Sequence, residues 1–246
     1  MTEYKCEEVL PYQQNTNKAE QVEQMFDNIA PVYDPMNRLM SMFNDSSWRK
    51  NALSFLSVYG PKTILDIATG TGDFAITAYE QLEPEKIVGL DLSEGMLQVG
   101  RKKVEEKGLS NVISFVKGDS LNLEFADDSF DAVTVAFGVR NFSDLEKGLK
   151  EMYRVVKPGG AVAILELSQP TNPLFLFGYK IYTKYVIPVL AKLHNTDKRA
   201  YEYLPESIAA CPQRVEMTDL MEKCGFSEAK YKSYTFGTCT FYLAKK

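Results

Sequence analysis

From residue 62 onward the chain alternates between short, unbroken apolar runs and amphipathic stretches. The runs are TILDIA at 63–68, KIVGLD at 86–91, VISFVKG at 112–118, FDAVTVAF at 130–137 and AVAILEL at 161–167. Each is strand-sized and apolar at consecutive positions, as expected where both faces of a sheet are covered. Between them apolar residues recur at helical spacing: Leu145, Leu149, Met152 and Val156 line one face of a predicted helix. Such alternation predicts an α/β fold with a doubly wound, mostly parallel sheet. Two late runs, 228–235 and 238–244, flank a turn containing Gly237 and predict an antiparallel hairpin that closes the sheet. Ahead of the sheet, residues 26–59 read as helical with a break near Ala30–Pro31. The polar, acidic residues 1–25 read as a loose arm.

One stretch interrupts the alternation. Residues 173–193, PLFLFGYKIYTKYVIPVLAKL, are rich in Phe, Tyr, Leu and Ile, but Lys180, Lys184, Lys192 and Pro188 argue against a membrane-spanning helix. Between 173 and 200 lie Lys180, Lys184, Lys192, Lys198 and Arg199 against the single acid Asp197. A segment that is cationic and aromatic, in a chain of net charge −5, suits an anionic membrane surface. The alternative is a helical insertion whose apolar face caps the sheet. The expected layout is one domain over 1–246, with a helical arm at about 1–60 and an insertion at about 170–210.

Charge and composition narrow the classes. With 33 acidic against 28 basic residues, a general nucleic-acid binder is not expected. Cys6, Cys211, Cys224 and Cys239 are widely spaced and form no C-x-x-C pair, which suits reduced thiols in a cytoplasm. His194 is the only histidine, so a histidine-based metal cluster is impossible. It lies beside the basic insertion, where packing is a better reading than a catalytic base.

The first strand runs into TGTGDFA, where Gly70, Gly72 and Ala75 satisfy G-x-G-x-x-G/A between a strand and a helix. Alone this predicts only a nucleotide-like ligand. The acids Asp66 and Asp73 would repel a pyrophosphate, which disfavours a NAD-dependent dehydrogenase. They favour S-adenosylmethionine, which has no phosphate and carries an ammonium and a sulfonium. Asp91, nineteen residues after Gly72, ends the second strand and can accept both ribose hydroxyl protons. Asp119, after the third strand, is placed to accept from the adenine amino group. The alternative is that these acids only cap helices.

LDIATGTGDF, GLDLSEGML, GDSLNLEFADDSFDAV and RVVKPGG resemble the successive motifs of class I S-adenosylmethionine-dependent methyltransferases. YDPMNRLMS at 33–41 leading to Trp48, AFGVRN at 136–141, YRVVKPGGAVAILELSQP at 153–170 and AYEYLPESIAACP at 200–212 are similar to the quinone-biosynthesis C-methyltransferases within that class. The resemblance covers the chain from about residue 20. It implies a seven-stranded Rossmann-like sheet with one antiparallel C-terminal strand, and methylation of a ring carbon of demethylmenaquinol, of a ubiquinone precursor, or of both. It implies cofactor contacts at Asp66, Ala68, Gly70, Thr71, Gly72, Asp91, Asp119, Ser120 and Ala136. This chain departs from the family's pattern at Asp45 and Tyr242, where histidine is common, and at Ala136, commonly serine, so no histidine base is implied.

Aromatic C-methylation needs an electron-rich ring, and a phenol loses its proton reluctantly at neutral pH. Arg140 and Asn141 follow the fourth strand, where substrate meets cofactor in this fold. Arg140 could stabilise a phenolate and Asn141 orient a water or hydroxyl; alternatively Arg140 forms a structural ion pair and Asn141 caps a helix, in competition with Asp144. Tyr33, Asn37, Trp48 and Glu166 are the candidate lining of a quinone pocket. Expected partners are a prenylated quinol and the inner face of the membrane through 173–200, with homodimerisation left open. The competing functions are methylation of another lipid-like small molecule and a nonenzymatic cofactor-binding scaffold.

Overall fold

The structure is a computed structural model that describes residues 4–12, 14–193 and 197–246. His194 lies outside the described residues, as does the side chain of Lys192. In chain order the elements are α1 (Lys5–Glu8), α2 (Lys18–Ile29), α3 (Tyr33–Met40), α4 (Asp45–Leu56), β1 (Thr63–Ile67), α5 (Asp73–Leu82), β2 (Lys86–Asp91), α6 (Glu94–Glu106), β3 (Ile113–Lys117), β4 (Phe130–Ala136), α7 (Leu145–Val155), β5 (Val156–Leu167), α8 (Pro173–Ile181), α9 (Ile187–Leu193), α10 (Lys198–Ala210), α11 (Val215–Lys223), β6 (Ser227–Tyr234) and β7 (Cys239–Lys245). The strands form one sheet in the order β3-β2-β1-β4-β5-β7-β6. β7 runs antiparallel to both neighbours and the other six strands are parallel to one another.

The apolar runs became strands for the expected reason. Ile64, Leu65 and Ile67 of β1 are completely buried, as are Ala132, Val133 and Val135 of β4, because helices cover both faces of the sheet. The predicted helix around Leu145 is α7, whose Leu145, Leu149, Met152 and Val155 are buried. Val156 departs from the expectation: it leaves the helix and starts β5, paired with Phe130. The register then slips before Ala132 pairs with Ala161. The KPGG segment is therefore an irregularity inside a strand rather than a loop before one.

The described residues of the N-terminal arm are not loose. α2 begins at Lys18, where Asn17 accepts the Glu20 N–H at 2.9 Å. Cys6 is buried in the same core cluster as Val139, Leu145 and Cys211. The Glu7 carboxylate accepts the Leu145 N–H at 2.9 Å, placing an anion at the start of α7. Lys18 donates to the carbonyls of Cys6, at 2.5 Å, and Arg140, at 3.2 Å. Two charged residues in a polar arm thus satisfy backbone groups that would otherwise be left unpaired. The predicted break falls at Ala30–Val32, a single 3-10 turn that begins α3.

The 173–193 stretch is helical, with a π turn at Tyr182–Val186 joining α8 to α9. Pro188 lacks the N–H that would bond the carbonyl four residues back, and the wider turn accommodates that loss. Tyr182 anchors the segment by donating to the Met40 carbonyl at 3.1 Å.

Candidate active site

The loop after β1 turns sharply through Ala68, Gly70 and Gly72, all at positive φ. At Gly72 (φ 79°) a Cβ would lie 2.6 Å from the Phe115 ring, so only glycine fits without displacing it. The Gly70 N–H donates to Asp91 Oδ2 at 2.8 Å and the Ser93 N–H to Oδ1 at 2.9 Å. Burial pushes the Asp91 carboxyl up to about 6, with these backbone donors pulling part of the way back.

At the C-terminal ends of β1 to β4 lies a cavity of about 700 Å³. The strand order reverses between β1 and β4, the crevice in which open α/β sheets place their ligands. Ala68, Gly70, Asp91, Asp119, Ser120 and Ala136, six of the candidate cofactor contacts, line it. Asp91 and Asp119 contribute carboxylates, Glu23 is paired with Lys117 at 2.7 Å, and no lysine or arginine is on the wall among the described residues. Such a lining opposes phosphate and accommodates a cation. α2 covers the outer side, where Asp27 accepts the Ser93 hydroxyl at 2.5 Å and the Gly95 N–H at 2.9 Å.

Three residues predicted from the loop are not on this wall. Asp66 is fully buried beneath it, accepting the Thr69 and Thr134 hydroxyls at 2.6 Å each. Burial pushes its carboxyl up to about 6, against the two hydroxyls. Thr71 turns away to Asp34 at 2.5 Å, and Gly72 packs on Phe115. Asp73 also points elsewhere: Lys103 holds it together with Asp34. The picture of Asp66 and Asp73 confronting the ligand is therefore corrected. The acidic character of the wall comes from Asp91 and Asp119, since Lys117 neutralises Glu23.

A second cavity, about 1200 Å³ and chiefly apolar, adjoins the first; Phe26, Tyr33 and Phe137 line both. Tyr33, Asn37 and Trp48, three of the four candidate pocket residues, are on its wall, and so is the catalytic candidate Arg140. Trp48 serves packing as well: it is buried, meets the Phe137 ring edge-on at 6.4 Å between centroids, and donates to Thr235 Oγ1 at 2.9 Å. Burial raises the Tyr33 phenol above its ordinary range, with Arg140 and Asn37 pulling back.

Glu166 does not line either cavity. It is buried behind Arg140, whose Nη1 donates to Glu166 Oε1 at 2.7 Å and also to the Phe137 carbonyl. The Leu167 N–H donates to the same carboxylate at 2.8 Å. Burial works against the Arg140 charge, but Glu166 outweighs it and holds the guanidinium more firmly protonated than usual. Both readings of Arg140 therefore hold geometrically: it is ion-paired, and it faces the cavity. Asn141 lies on the first cavity and accepts the Tyr203 O–H at 3.0 Å, while Asp144 caps α7. Of the positions where the sequence resemblance leads one to expect histidine, Asp45 pairs with Arg49 at 2.6 Å and Tyr242 Oη accepts the Arg214 N–H at 2.8 Å.

Sequence reasoning missed Tyr179, Tyr182 and Tyr203, which complete the second cavity. Their aromatic richness was visible. Nothing in the spacing ties residue 179 to residue 140, because only the packing of α9 and α10 against α2 and α3 brings them to one cavity.

Residues 14–246 match the ubiE/COQ5 methyltransferase family. A demethylmenaquinone methyltransferase of Bacteroides fragilis is 51% identical over 99% of this chain and 99% of its own. One from Porphyromonas gingivalis is 47% identical over 98% of each. A ubiquinone/menaquinone biosynthesis C-methyltransferase of Geobacter sulfurreducens is 42% identical over 94% of this chain and 90% of its own. Among solved structures, a SAM-dependent methyltransferase of Thermotoga maritima superposes with a TM-score of 0.64 at 22% identity, covering 91% of this chain and 99% of that one, and establishes the shared fold. With its glycine loop, its acidic cavity at the strand ends and its sequence aligned over nearly its whole length, the chain belongs to the ubiE/COQ5 methyltransferase family.

Proposed function

We propose that the protein transfers a methyl group from S-adenosylmethionine to a ring carbon of demethylmenaquinol, giving menaquinol. The observation that carries this reading is the meeting of an acidic cavity and a large apolar cavity at one partition, Phe26, Tyr33 and Phe137. The first suits a cationic ligand without phosphate, the second a naphthoquinol head group and the start of its prenyl tail.

When bound, S-adenosylmethionine would supply an electrophilic methyl on a sulfonium, whose leaving group is a neutral thioether. Asp91 and Asp119 hold its polar groups, and Gly70 leaves room against the backbone. Asp66 acts from beneath, fixing the loop through Thr69. On the acceptor side, Arg140 stabilises negative charge on a ring oxygen, which raises electron density at the carbon that is methylated. That carbon then gives up its proton to solvent, which restores the aromatic ring. Tyr33 and Phe137 set the ring against the methyl, a positioning contribution that needs no covalent intermediate. The bond between Asn141 and Tyr203 braces the boundary from both sides.

The test is turnover of methyl-labelled S-adenosylmethionine with short-chain demethylmenaquinol. Labelled menaquinol and S-adenosylhomocysteine are expected in equal amounts. A parallel benzoquinol acceptor distinguishes the ubiquinone-type substrate. Transfer to neither ring would sink the reading.

The prenylated substrate places the enzyme at a lipid surface, and we assign contact with the inner face of the cell membrane to the mouth of the second cavity, with the rest of the protein in the cytoplasm. Among the described residues no helix is long and apolar enough to cross a membrane. Leu174 (74% exposed) and Phe177 project from α8 beside Lys180 and Lys184, both exposed. Phe43 (71%) projects from the α3–α4 turn and Phe236 (69%) from the turn before β7, stacked on Phe175. Phe43 and Phe236 both have left-handed backbone. Replacing Phe43 and Phe177 by Ser should lower sedimentation with anionic liposomes at least fivefold and slow long-chain turnover in vesicles, leaving a short soluble analogue nearly unaffected. Charge-dependent binding should weaken with salt. Unchanged liposome binding would place the membrane contact elsewhere.

A further inference from the structure

Most polar groups on the wall of the second cavity are already committed. Trp48 donates to Thr235, Tyr203 to Asn141, Tyr182 to the Met40 carbonyl, and Asp45 pairs with Arg49. Two are not. The Tyr179 hydroxyl and the Arg140 Nε are buried with no hydrogen-bond partner, and both residues line this cavity. Buried polar groups in folded proteins are nearly always paired, so two orphans on one wall call for a missing partner. An arginine Nε–H can only donate, and a tyrosine O–H donates readily. The partner they lack is an acceptor, and an oxygen on an aromatic ring fits a cavity that is chiefly apolar and whose other buried polar groups are already bonded.

We infer that Tyr179 and Arg140 together form the subsite that holds one ring oxygen of the acceptor, so that the insertion helix supplies a substrate-binding residue and not only a cover. The inference rests on the quinol reading and names the groups that recognise the ring. Burial pushes the Tyr179 phenol up to about 12, against the pull of Arg140. It therefore keeps its proton beside a less basic phenolate and acts as a donor, while the guanidinium contributes charge. Because Arg140 Nη1 is held by Glu166, the Nε edge is fixed in direction before substrate arrives. A free ring oxygen is accepted by this pair. An oxygen capped as a methyl ether has weaker acceptor strength and no charge to gain, and it is discriminated against.

The test uses 1-naphthol and 1-methoxynaphthalene as probes, with affinities measured by calorimetry on the full chain carrying S-adenosylhomocysteine. The parent protein should prefer 1-naphthol by about tenfold or more, and Tyr179→Phe should erase most of that preference. In turnover of short-chain demethylmenaquinol, Tyr179→Phe should reduce kcat/KM by about 10- to 100-fold, as for loss of one hydrogen bond to a charged group, and raise the apparent pKa of its pH profile. Affinity for S-adenosylhomocysteine should not change, and Tm should hold or rise, since an unpaired buried hydroxyl is removed. Tyr234→Phe deletes the other orphan phenol, outside both cavities, and should leave turnover unchanged. An undiminished naphthol preference in Tyr179→Phe, or a loss matched by Tyr234→Phe, overturns the inference. If the preference is lost as expected but the parent does not methylate demethylmenaquinol, the subsite stands and the choice of acceptor falls.

Discussion

Arg140→Ala is expected to lower turnover by roughly 100- to 1000-fold, the range lost when a preplaced oxyanion donor is removed. Affinity for S-adenosylhomocysteine should stay within about threefold of the parent, because Arg140 lines only the acceptor cavity. Stability should fall as well. Glu166 is buried and would keep the Leu167 N–H but lose its cation. Breaking a buried pair from one side costs about 3–5 kcal/mol, or roughly 10 °C in a chain of this size. The two effects separate in the double variant Arg140→Ala with Glu166→Gln. There the uncompensated charge is gone, so most of the lost Tm should return while turnover stays low. Single-turnover kinetics with thermal unfolding makes the measurement. If activity returns along with Tm, Arg140 is only a structural ion-pair partner.

Asp91→Ala should weaken S-adenosylmethionine by about 1.5–3 kcal/mol, roughly 10- to 150-fold. The substitution removes a carboxylate from the cavity wall and strips the Gly70 and Ser93 N–H groups of their acceptor. The same residue sets a pH dependence. Asp91 and Asp66 titrate near 6 in the fold against 3.8 for the ordinary side chain. Folded-state values raised in this way mean that the fold binds more protons than the unfolded chain between about pH 4 and 6. Stability of the ligand-free protein from these two groups therefore declines as pH rises through that window and is level above it. Ligand binding runs the opposite way, since a cation and hydroxyl donors favour the ionised acids. Affinity should be flat above about pH 7 and fall as pH drops through about 6, with proton release in calorimetry across buffers of different ionisation enthalpy. Asp91→Asn should flatten much of this slope. Affinity in the parent that does not change between pH 5 and 7 would show that Asp91 is already ionised throughout.

Replacing Asp66 by Asn provides a contrast. Asp66 touches Thr69 and Thr134 rather than the cavity. Its loss should weaken binding by loosening the loop, and should affect an adenosine fragment as much as the whole cofactor. The structure thus revises the earlier rationale, in which Asp66 and Asp73 excluded pyrophosphate directly. The ligand class is unchanged, because Asp91 and Asp119 provide the same sign of charge.

What the sequence determined by itself was everything that depends on local periodicity and local backbone need. Continuous apolar runs specify strands covered on both faces, as in Ile64–Ile67 and Ala132–Val135. Gly70 and Gly72 specify a turn with positive φ, and Asp91 at the end of β2 specifies a carboxylate beside it. These features follow from chemistry within a few residues, so they can be read without the partner segments. Tertiary structure alone decided where side chains of equal chemistry point. Asp66, Asp73 and Asp91 are all acids near strand ends, yet one lies beneath the loop, one faces Lys103 and one faces the cavity. It decided that Cys6 and Glu7 are packed against the α7 end, that Val156 leaves its helix for a strand, and that Tyr179 comes to the same wall as Arg140. Each of these is fixed by contacts between segments far apart in the chain. Sheet twist and helix docking set their geometry, and neither leaves a periodic trace in the residues themselves.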